Sequence, residues 1–211
     1  MTLYDTSSSS IADYLNKLSS DQPTPGGGSV SSLLGAIGFS LGNMVANLTK
    51  KQTQDLELLS DMKLITDKLN SIIQEFLTLM KKDEEAFLPL SKAYHLPANT
   101  PNLDEIMEDA LKTAAQVPYE VLTLLGTAID LFDEIYNKNI SFAISDIGIG
   151  VSVCKSAFES ALLNVTINTK YLKDKAYAKE LNHKANKISN VGTSKCIRIY
   201  DKILAENLNL I

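Results

Sequence analysis

The sequence predicts an all-α protein, and two observations carry this prediction. Apolar residues recur at spacings of three and four along nearly the whole chain, and no stretch alternates between apolar and polar residues as a half-buried strand does. No internal repeat or linker divides the 211 residues, a length typical of one domain or one large helical bundle. We therefore expect a single domain, residues 1–211, that folds as a compact array of about six helices around a buried central helix of small residues.

The helices are placed in order by their periodicity and by the residues that interrupt it. Pro97 and Pro101 end the third helix, because proline lacks the N–H group that a helix interior uses. Pro118 predicts a kink inside the fourth helix. The predicted ranges are residues 9–18, 30–48, 54–94, 103–136, 142–172 and 174–206, with Ser29 as the N-cap of the second helix.

The second helix is unusual because residues 30–48 contain no charged side chain. A run of about 18 uncharged residues is long enough to cross a bilayer. Serines and asparagines interrupt this run, however, and its glycines and alanines make it only mildly hydrophobic. Small residues let neighbouring helices approach closely, which suits a helix covered by protein on every side. We therefore expect a bundle core and no membrane partner.

The overall charge and the cysteine count argue against several classes of protein. A net charge of −5 and a pI of about 5.1 disfavour nucleic-acid binding, which normally needs a basic face. The N-terminus lacks the basic and apolar segments of a secretory signal, so we expect a cytoplasmic protein with reduced, buried thiols at Cys154 and Cys196. Two cysteines and two histidines form neither a disulfide framework nor a zinc-ligand pattern, and no metal is expected.

One acidic residue falls on an otherwise apolar helix face. The third helix carries a heptad seam from Leu58 to Leu79, and the next seam position is Asp83. A desolvated carboxylate is costly unless it is paired or neutralised, so Asp83 marks either a functional site or the point where the helix leaves the bundle. The neighbouring Glu84 and Glu85 rotate away from the seam by about 100° each and are expected in solvent.

Two further groups of polar residues are candidates for a site. Asp146 begins a helix whose small-residue line leads to Asn164 and Asn168, which are four residues apart and so point the same way. The asparagines can serve a polar ligand or bond between helices, and Asp146 can serve a site or stabilise the helix dipole. The glycine run before the second helix likewise suits either an anion at a helix N-terminus or a hinge for close packing.

The order and spacing of seven short motifs resembles one family of folate enzymes over most of the chain. These motifs are "TPGGGSV", then "GAIGFSLGNMVANLT", "DEEAF" at 83–87, "HLP" at 95–97, "AAQVP" at 114–118, "SD" at 145–146 and "NVTIN" at 164–168. Together they resemble the cyclodeaminase/cyclohydrolase family, to which the C-terminal domain of formiminotransferase-cyclodeaminase belongs. The resemblance implies an α-helical enzyme of the ammonia-lyase or cyclohydrolase type, usually a homodimer, with no metal and no cofactor beyond its tetrahydrofolate substrate.

The resemblance also implies a reaction and a set of site residues. We expect a formiminotetrahydrofolate cyclodeaminase; the alternatives are a methenyltetrahydrofolate cyclohydrolase and a non-catalytic helical module that binds folate or a protein. Asp83 matches the proposed proton acceptor, and Asp146 is expected to orient or protonate the departing nitrogen. The expected substrate-binding residues are Asn164 and Asn168 at the pterin ring, and Gly26, Gly27, Gly28 and Ser29 at the glutamate tail or the pocket wall.

Self-association is also expected from the pattern itself. Leu56, Leu59 and Leu64 fall on outward positions of the third helix. Exposed apolar patches often mark the surface on which a partner helix packs. The sequence therefore predicts a homodimer.

Overall fold

The computed structural model describes residues 9–138 and 143–208 of the chain. These residues form helices and no strands, which confirms the predicted fold class. The predicted start of the fifth helix at Phe142 lies outside the described residues. In chain order the helices are α1 (Ile11–Leu18), α2 (Gly27–Gln52), α3 (Leu56–Ala93), α4 (Leu103–Ala128), α5 (Asp130–Tyr136), α6 (Ile144–Lys170) and α7 (Lys175–Leu208).

The array of about six helices is confirmed, with the fourth predicted helix divided in two at Ile129. The expected kink site, Pro118, lies inside α4, which continues to Ala128. At Ile129 the chain makes a tighter turn, because the Phe132 N–H donates to the Ile129 carbonyl over 3.2 Å. The helix is therefore interrupted at Ile129, eleven residues after Pro118.

The helix α2 occupies the centre of the bundle, between α3 on one side and α6 on the other, with α4 behind it. Its glycines stand where neighbouring side chains approach most closely. A Cβ atom on Gly35 would lie 2.6 Å from the Phe76 ring, and one on Gly38 would lie 2.4 Å from the Cys154 Sγ. Larger residues at these positions would separate the helices. By length and composition α2 could cross a membrane, but 56% of its most apolar window is buried in the bundle.

The main core is built around a cluster of phenylalanine rings. Phe39 of α2 stacks on Phe76 of α3 with ring centroids 5.7 Å apart, and it lies 5.4 Å from the ring of Phe132. All three side chains are fully buried. Removing such a ring typically costs about 3–5 kcal/mol. This core fixes α2 against α3, and so it fixes the N-terminus of α2 relative to residues further along α3.

The predicted heptad seam of α3 is confirmed. Met62, Leu69 and Leu79 on this seam are buried in the core, whereas Leu56 and Leu64 on the opposite side are exposed. Two turns after the last core phenylalanine of α3, the seam brings Asp83 to the N-terminal end of α2.

Candidate active site

A cavity of about 140 Å³ lies where the loop before α2 and the first residues of α2 meet three other helices. Its walls combine backbone from the glycine run with side chains from α3, α4 and α6. Most of the residues singled out from the sequence therefore meet in one place. The lining residues are Pro23, Thr24, Gly26, Gly27, Gly28, Asp83, Phe87, Ala114, Asn164, Ile167 and Asn168.

The carboxylate of Asp83 lies directly against the first turn of α2. A Cβ atom on Gly28 would lie 1.9 Å from the Asp83 Oδ1, so glycine is required for this approach. The Ser29 N–H donates a hydrogen bond to the Asp83 carboxylate. The N-cap residue Gly26 has no capping side chain, and the first turn of α2 contains no acidic residue. Asp83 therefore supplies from another helix the negative charge that a helix N-terminus favours.

This arrangement corrects the role predicted for Ser29. Ser29 is the third residue of α2 and not its N-cap, because the helix begins at Gly27. Its side chain is fully buried behind Asp83 and does not line the cavity. Its hydroxyl group shares a hydrogen bond of 3.2 Å with the Tyr14 hydroxyl and lies 3.5 Å from the Glu84 Oε1. Ser29 therefore contacts Asp83 from the protein interior and does not contact the cavity itself.

Burial raises the pKa of Asp83 to about 6. The hydrogen bond from the Ser29 N–H opposes this change, and the nearby Glu84 carboxylate adds to it. A carboxyl group with this pKa is mainly ionised at pH 7, but roughly a tenth of the molecules retain the proton. Asp83 is therefore poised both to accept and to return a proton near neutral pH.

The expectation that Glu84 lies in solvent was wrong, whereas Glu85 is exposed as predicted. Glu84 is only 5% exposed, because Ser29 of α2 and the buried Tyr14 of α1 lie beside it. The pKa of the Tyr14 hydroxyl is raised mainly by burial and also by the carboxylates of Glu84 and Asp83. The second carboxylate beside Asp83 is therefore its sequence neighbour. The sequence contained one indication of this burial. Tyr14 is a large aromatic residue on the short first helix, and such a residue is expected to pack against another helix.

The two asparagines of α6 line the cavity, and Asn164 lies against the glycine run, where a Cβ atom on Gly27 would be 3.1 Å from its Oδ1. The Asn168 Nδ2 donates to the Ala114 carbonyl over 3.1 Å and to the Asn164 carbonyl over 3.0 Å. The Ala114 carbonyl is the one that would accept the backbone N–H of residue 118, and Pro118 has none. The Asn164 Nδ2 donates to the Ser160 carbonyl over 3.0 Å. Both side chains therefore offer their carboxamide oxygens as hydrogen-bond acceptors.

Asp146 is not brought to this cavity within the chain. It lies in the first turn of α6, eighteen residues before Asn164, and a helix of that length separates the two by about 27 Å. The pKa of Asp83 is raised chiefly by burial and further by the Glu84 carboxylate, and Asp146 has no part in that change. The role of Asp146 in the reaction stays a prediction.

Neither thiol belongs to the site. Cys154 and Cys196 are free and buried, as predicted, and burial raises the pKa of both. Among residues 9–138 and 143–208, no group of three His, Cys, Asp or Glu side chains is arranged to hold a metal ion. The polar side chains that line the cavity are the Asp83 carboxylate, whose pKa is raised, the carboxamides of Asn164 and Asn168, and the Thr24 hydroxyl group.

Comparison with known proteins identifies the family of the chain. A family model described as Formiminotransferase-cyclodeaminase matches residues 10–187. The chain is 35% identical to the methenyltetrahydrofolate cyclohydrolase of Methylorubrum extorquens over 81% of this chain and 84% of that protein. It is 24% identical to the formimidoyltransferase-cyclodeaminase of Mus musculus over 89% of this chain, but over only 35% of that longer protein.

A solved structure shares the whole architecture. The formiminotetrahydrofolate cyclodeaminase of Thermotoga maritima superposes with a TM-score of 0.83 at 26% identity, covering 95% of this chain and 98% of that one. The matches in family, sequence and structure agree with one another and with the family that the sequence motifs resemble. The chain therefore belongs to the formiminotransferase-cyclodeaminase family of folate one-carbon enzymes.

Proposed function

We propose that this chain is a formiminotetrahydrofolate cyclodeaminase, which converts 5-formiminotetrahydrofolate to 5,10-methenyltetrahydrofolate and ammonia. The observation that carries the proposal is Asp83, a carboxyl group with a pKa of about 6 in a cavity next to the N-terminus of a helix. The reaction is proton transfer around a cationic amidine, and it needs no cofactor beyond the tetrahydrofolate substrate.

The reaction requires one group to take a proton and to return it. N10 of the substrate attacks the formimino carbon, and Asp83 accepts the N10 proton. The formimino nitrogen of the cyclic intermediate then receives a proton, its bond to carbon breaks, and ammonia leaves. The ionised form of Asp83 also stabilises the positive charge of the methenyl product. A pKa near the working pH makes both directions of proton transfer accessible.

The asparagines are suited to the pterin ring of such a substrate. A pterin presents N–H donors along its amide edge, and the oxygens of Asn164 and Asn168 are the acceptors that these side chains offer. Phe87 and Ile167 add apolar wall for the ring. The glycine run shapes the wall beside Asp83. Because Asp83 already occupies the first turn of α2, we assign these glycines to the wall and not to the glutamate tail.

A second function has a specific observation in its favour. The relative with 35% identity is named a methenyltetrahydrofolate cyclohydrolase. In that reaction water adds to the methenyl carbon and the ring opens to 10-formyltetrahydrofolate. Asp83 would accept a proton from the attacking water and return it to N5. The two activities therefore use one base at one carbon atom.

One experiment separates the candidates. The purified protein is incubated separately with 5-formiminotetrahydrofolate and with 5,10-methenyltetrahydrofolate, while ammonia release and methenyl absorbance are followed. Cyclodeaminase activity gives ammonia and rising absorbance with the first compound, and cyclohydrolase activity gives falling absorbance with the second. Asp83→Asn should lower the relevant turnover about 10²–10⁴-fold. A protein inactive on both compounds would leave the folate-binding module as the function.

A further inference from the structure

Three buried polar side chains lie next to Asp83, on the side away from the cavity. Tyr14, Ser29 and Glu84 are 4%, 0% and 5% exposed, and none of them lines the cavity. They belong to α1, α2 and α3 respectively. An oxygen atom that is removed from water costs free energy unless another group bonds to it. A purely apolar junction of the three helices would avoid this cost.

The hydrogen bonds of these side chains run in one direction, from Tyr14 to Glu84. The Ser29 hydroxyl donates to the Glu84 Oε1 over 3.5 Å, which is a long hydrogen bond. A hydroxyl group has one proton to donate, so the tyrosine is the donor in the 3.2 Å contact between Tyr14 and Ser29. Both hydroxyl groups therefore direct their protons towards the Glu84 carboxylate. Such a chain stabilises the ionised form of the carboxylate at its end.

Ser29 connects this chain to Asp83. Its backbone N–H donates to the Asp83 carboxylate, and its hydroxyl group donates to Glu84. The first contact, at the N-terminal end of α2, stabilises the negative charge of Asp83 and makes it a weaker base. The second contact holds a negative charge beside Asp83, which makes it a stronger base. One residue thus carries two opposing influences on the proton affinity of Asp83.

No cation contributes to the proton affinity of Asp83 among the residues that the structure describes. Burial, the Ser29 N–H and the Glu84 carboxylate set the pKa of this carboxyl group. The neighbouring Lys82 is turned to Glu120 of α4, with which it forms an ion pair. The side chains that α4 and α6 bring to the cavity are uncharged. Glu84 is therefore the nearby charge that acts on Asp83.

Tyr14 is also the residue that attaches α1 to the bundle. It is the one buried residue of that helix, whereas Ile11 and Leu15 are 80% and 53% exposed. The ring alone would fill the same space, so packing does not require the hydroxyl group. Burial raises the pKa of that hydroxyl, and the carboxylates of Glu84 and Asp83 raise it further. The hydroxyl therefore keeps its proton at neutral pH and remains a donor.

We propose that Tyr14 and Glu84 are positioning residues for the reaction at Asp83. The hydrogen-bonded chain from Tyr14 through Ser29 holds the Glu84 carboxylate against the inner side of Asp83. Its charge offsets the helix N-terminus, so that Asp83 is a base strong enough to take a proton from the substrate. Neither residue contacts the substrate itself. The effect on turnover rests on the proposed function, whereas the effect on proton binding by Asp83 does not.

Glu84→Gln keeps the shape of the side chain and removes its charge. Asp83 then holds its proton less tightly, so the acid limb of the pH profile of turnover should move to lower pH by about 0.5 unit. At about pH 5 the variant should keep about two to three times the fraction of its plateau turnover that the native protein keeps. A merely structural role would lower turnover equally at every pH. The matched control is Glu85→Gln at the exposed neighbouring position, whose profile should coincide with the native one.

Tyr14→Phe tests the hydrogen-bonded chain, because it keeps the ring that attaches α1 and removes the first donor. Its acid limb should also move to lower pH, by less than that of Glu84→Gln. In the Glu84→Gln background it should add no further shift, because Tyr14 acts through Glu84. The control is Tyr136→Phe, which removes a tyrosine hydroxyl bonded to Glu206 outside the cavity and should leave the profile unchanged. An unmoved acid limb in Tyr14→Phe, or an equal shift in both backgrounds, would overturn the chain.

Proton binding by Asp83 can be followed without turnover. The carbon NMR signal of its side-chain carboxyl group, identified by its loss in Asp83→Asn, titrates with the proton. The midpoint should move to lower pH in Glu84→Gln and Tyr14→Phe and stay in place in the two controls. An unchanged midpoint refutes the positioning roles whatever happens to turnover. A midpoint that moves in a protein inactive on both folate compounds supports the positioning roles and refutes the proposed function.

Discussion

Replacing Asp83 with asparagine should change how the stability of the protein depends on pH. The ordinary pKa of an aspartate is 3.8, and burial raises that of Asp83 to about 6. Between these two values the folded protein binds a proton that the unfolded chain has lost. Stability must therefore fall as pH rises from about 4 to about 6, and it stays at the lower level above that range.

The size of the effect follows from the displacement of the pKa. About two pH units correspond to about 3 kcal/mol of unfolding free energy at neutral pH. Asp83→Asn has the same shape and no charge to desolvate, so it should lack this contribution. The variant and the native protein should be equally stable near pH 4. Near pH 8 the variant should be the more stable by up to about 3 kcal/mol.

Urea unfolding at intervals from pH 4 to pH 8 measures this difference. The matched control is Glu85→Gln, which removes a carboxylate at an exposed position two residues away; its stability should run parallel to that of the native protein. If the unfolding free energies of the native protein and Asp83→Asn also changed in parallel with pH, burial would not raise the pKa of the Asp83 carboxyl group. The proton-shuttle argument would then lose its basis.

Three further outcomes are expected. Turnover should fall about tenfold for each pH unit below 6, because the ionised Asp83 is the base; a rate profile that is flat down to pH 4.5 would contradict this assignment. Gly28→Ala forces the new methyl group against Asp83 and should cost about 1–3 kcal/mol in urea unfolding, whereas Gly26→Ala, which meets no atom within 4 Å, should leave stability unchanged. Asn168→Leu should cost about 1–3 kcal/mol by leaving a buried carbonyl unpaired, and much less in a Pro118→Ala background, where the helix regains its own donor; additive effects in the double-mutant cycle would refute this coupling.

The sequence predicted the parts of the site that depend on local periodicity. The seam of α3 runs regularly from Leu58 into Asp83, so the direction of that side chain followed from the spacing. The sequence left an anion at a helix N-terminus and a hinge for close packing as alternatives for the glycine run, and the structure packs the Asp83 carboxylate against Gly28. The identity of that anion did not follow, because it is Asp83, which folding brings from more than fifty residues away.

The errors concern contacts between distant segments. Glu84 was assigned to solvent by its rotation from the seam, but α1 and Tyr14 cover it. Pro118 was expected to kink the fourth helix, and the sequence did not indicate that the Asn168 side chain donates from across the bundle to the Ala114 carbonyl, which the proline leaves without its helical donor. Asp146 was grouped with the site although one helix length separates them. For Glu84 and Pro118 the deciding neighbour lies far away in the chain, where a periodic pattern carries no information.

The built-in carboxylate at the start of α2 has a consequence for inhibitor chemistry. The electropositive end of a helix usually attracts acids, but here an aspartate already neutralises it. A compound that carries its own carboxylate into this cavity would meet repulsion in place of attraction. Scaffolds with an amidinium or a protonated imidazoline at the same point should bind more tightly than their acidic counterparts, and raising the pH through 6 should strengthen that preference.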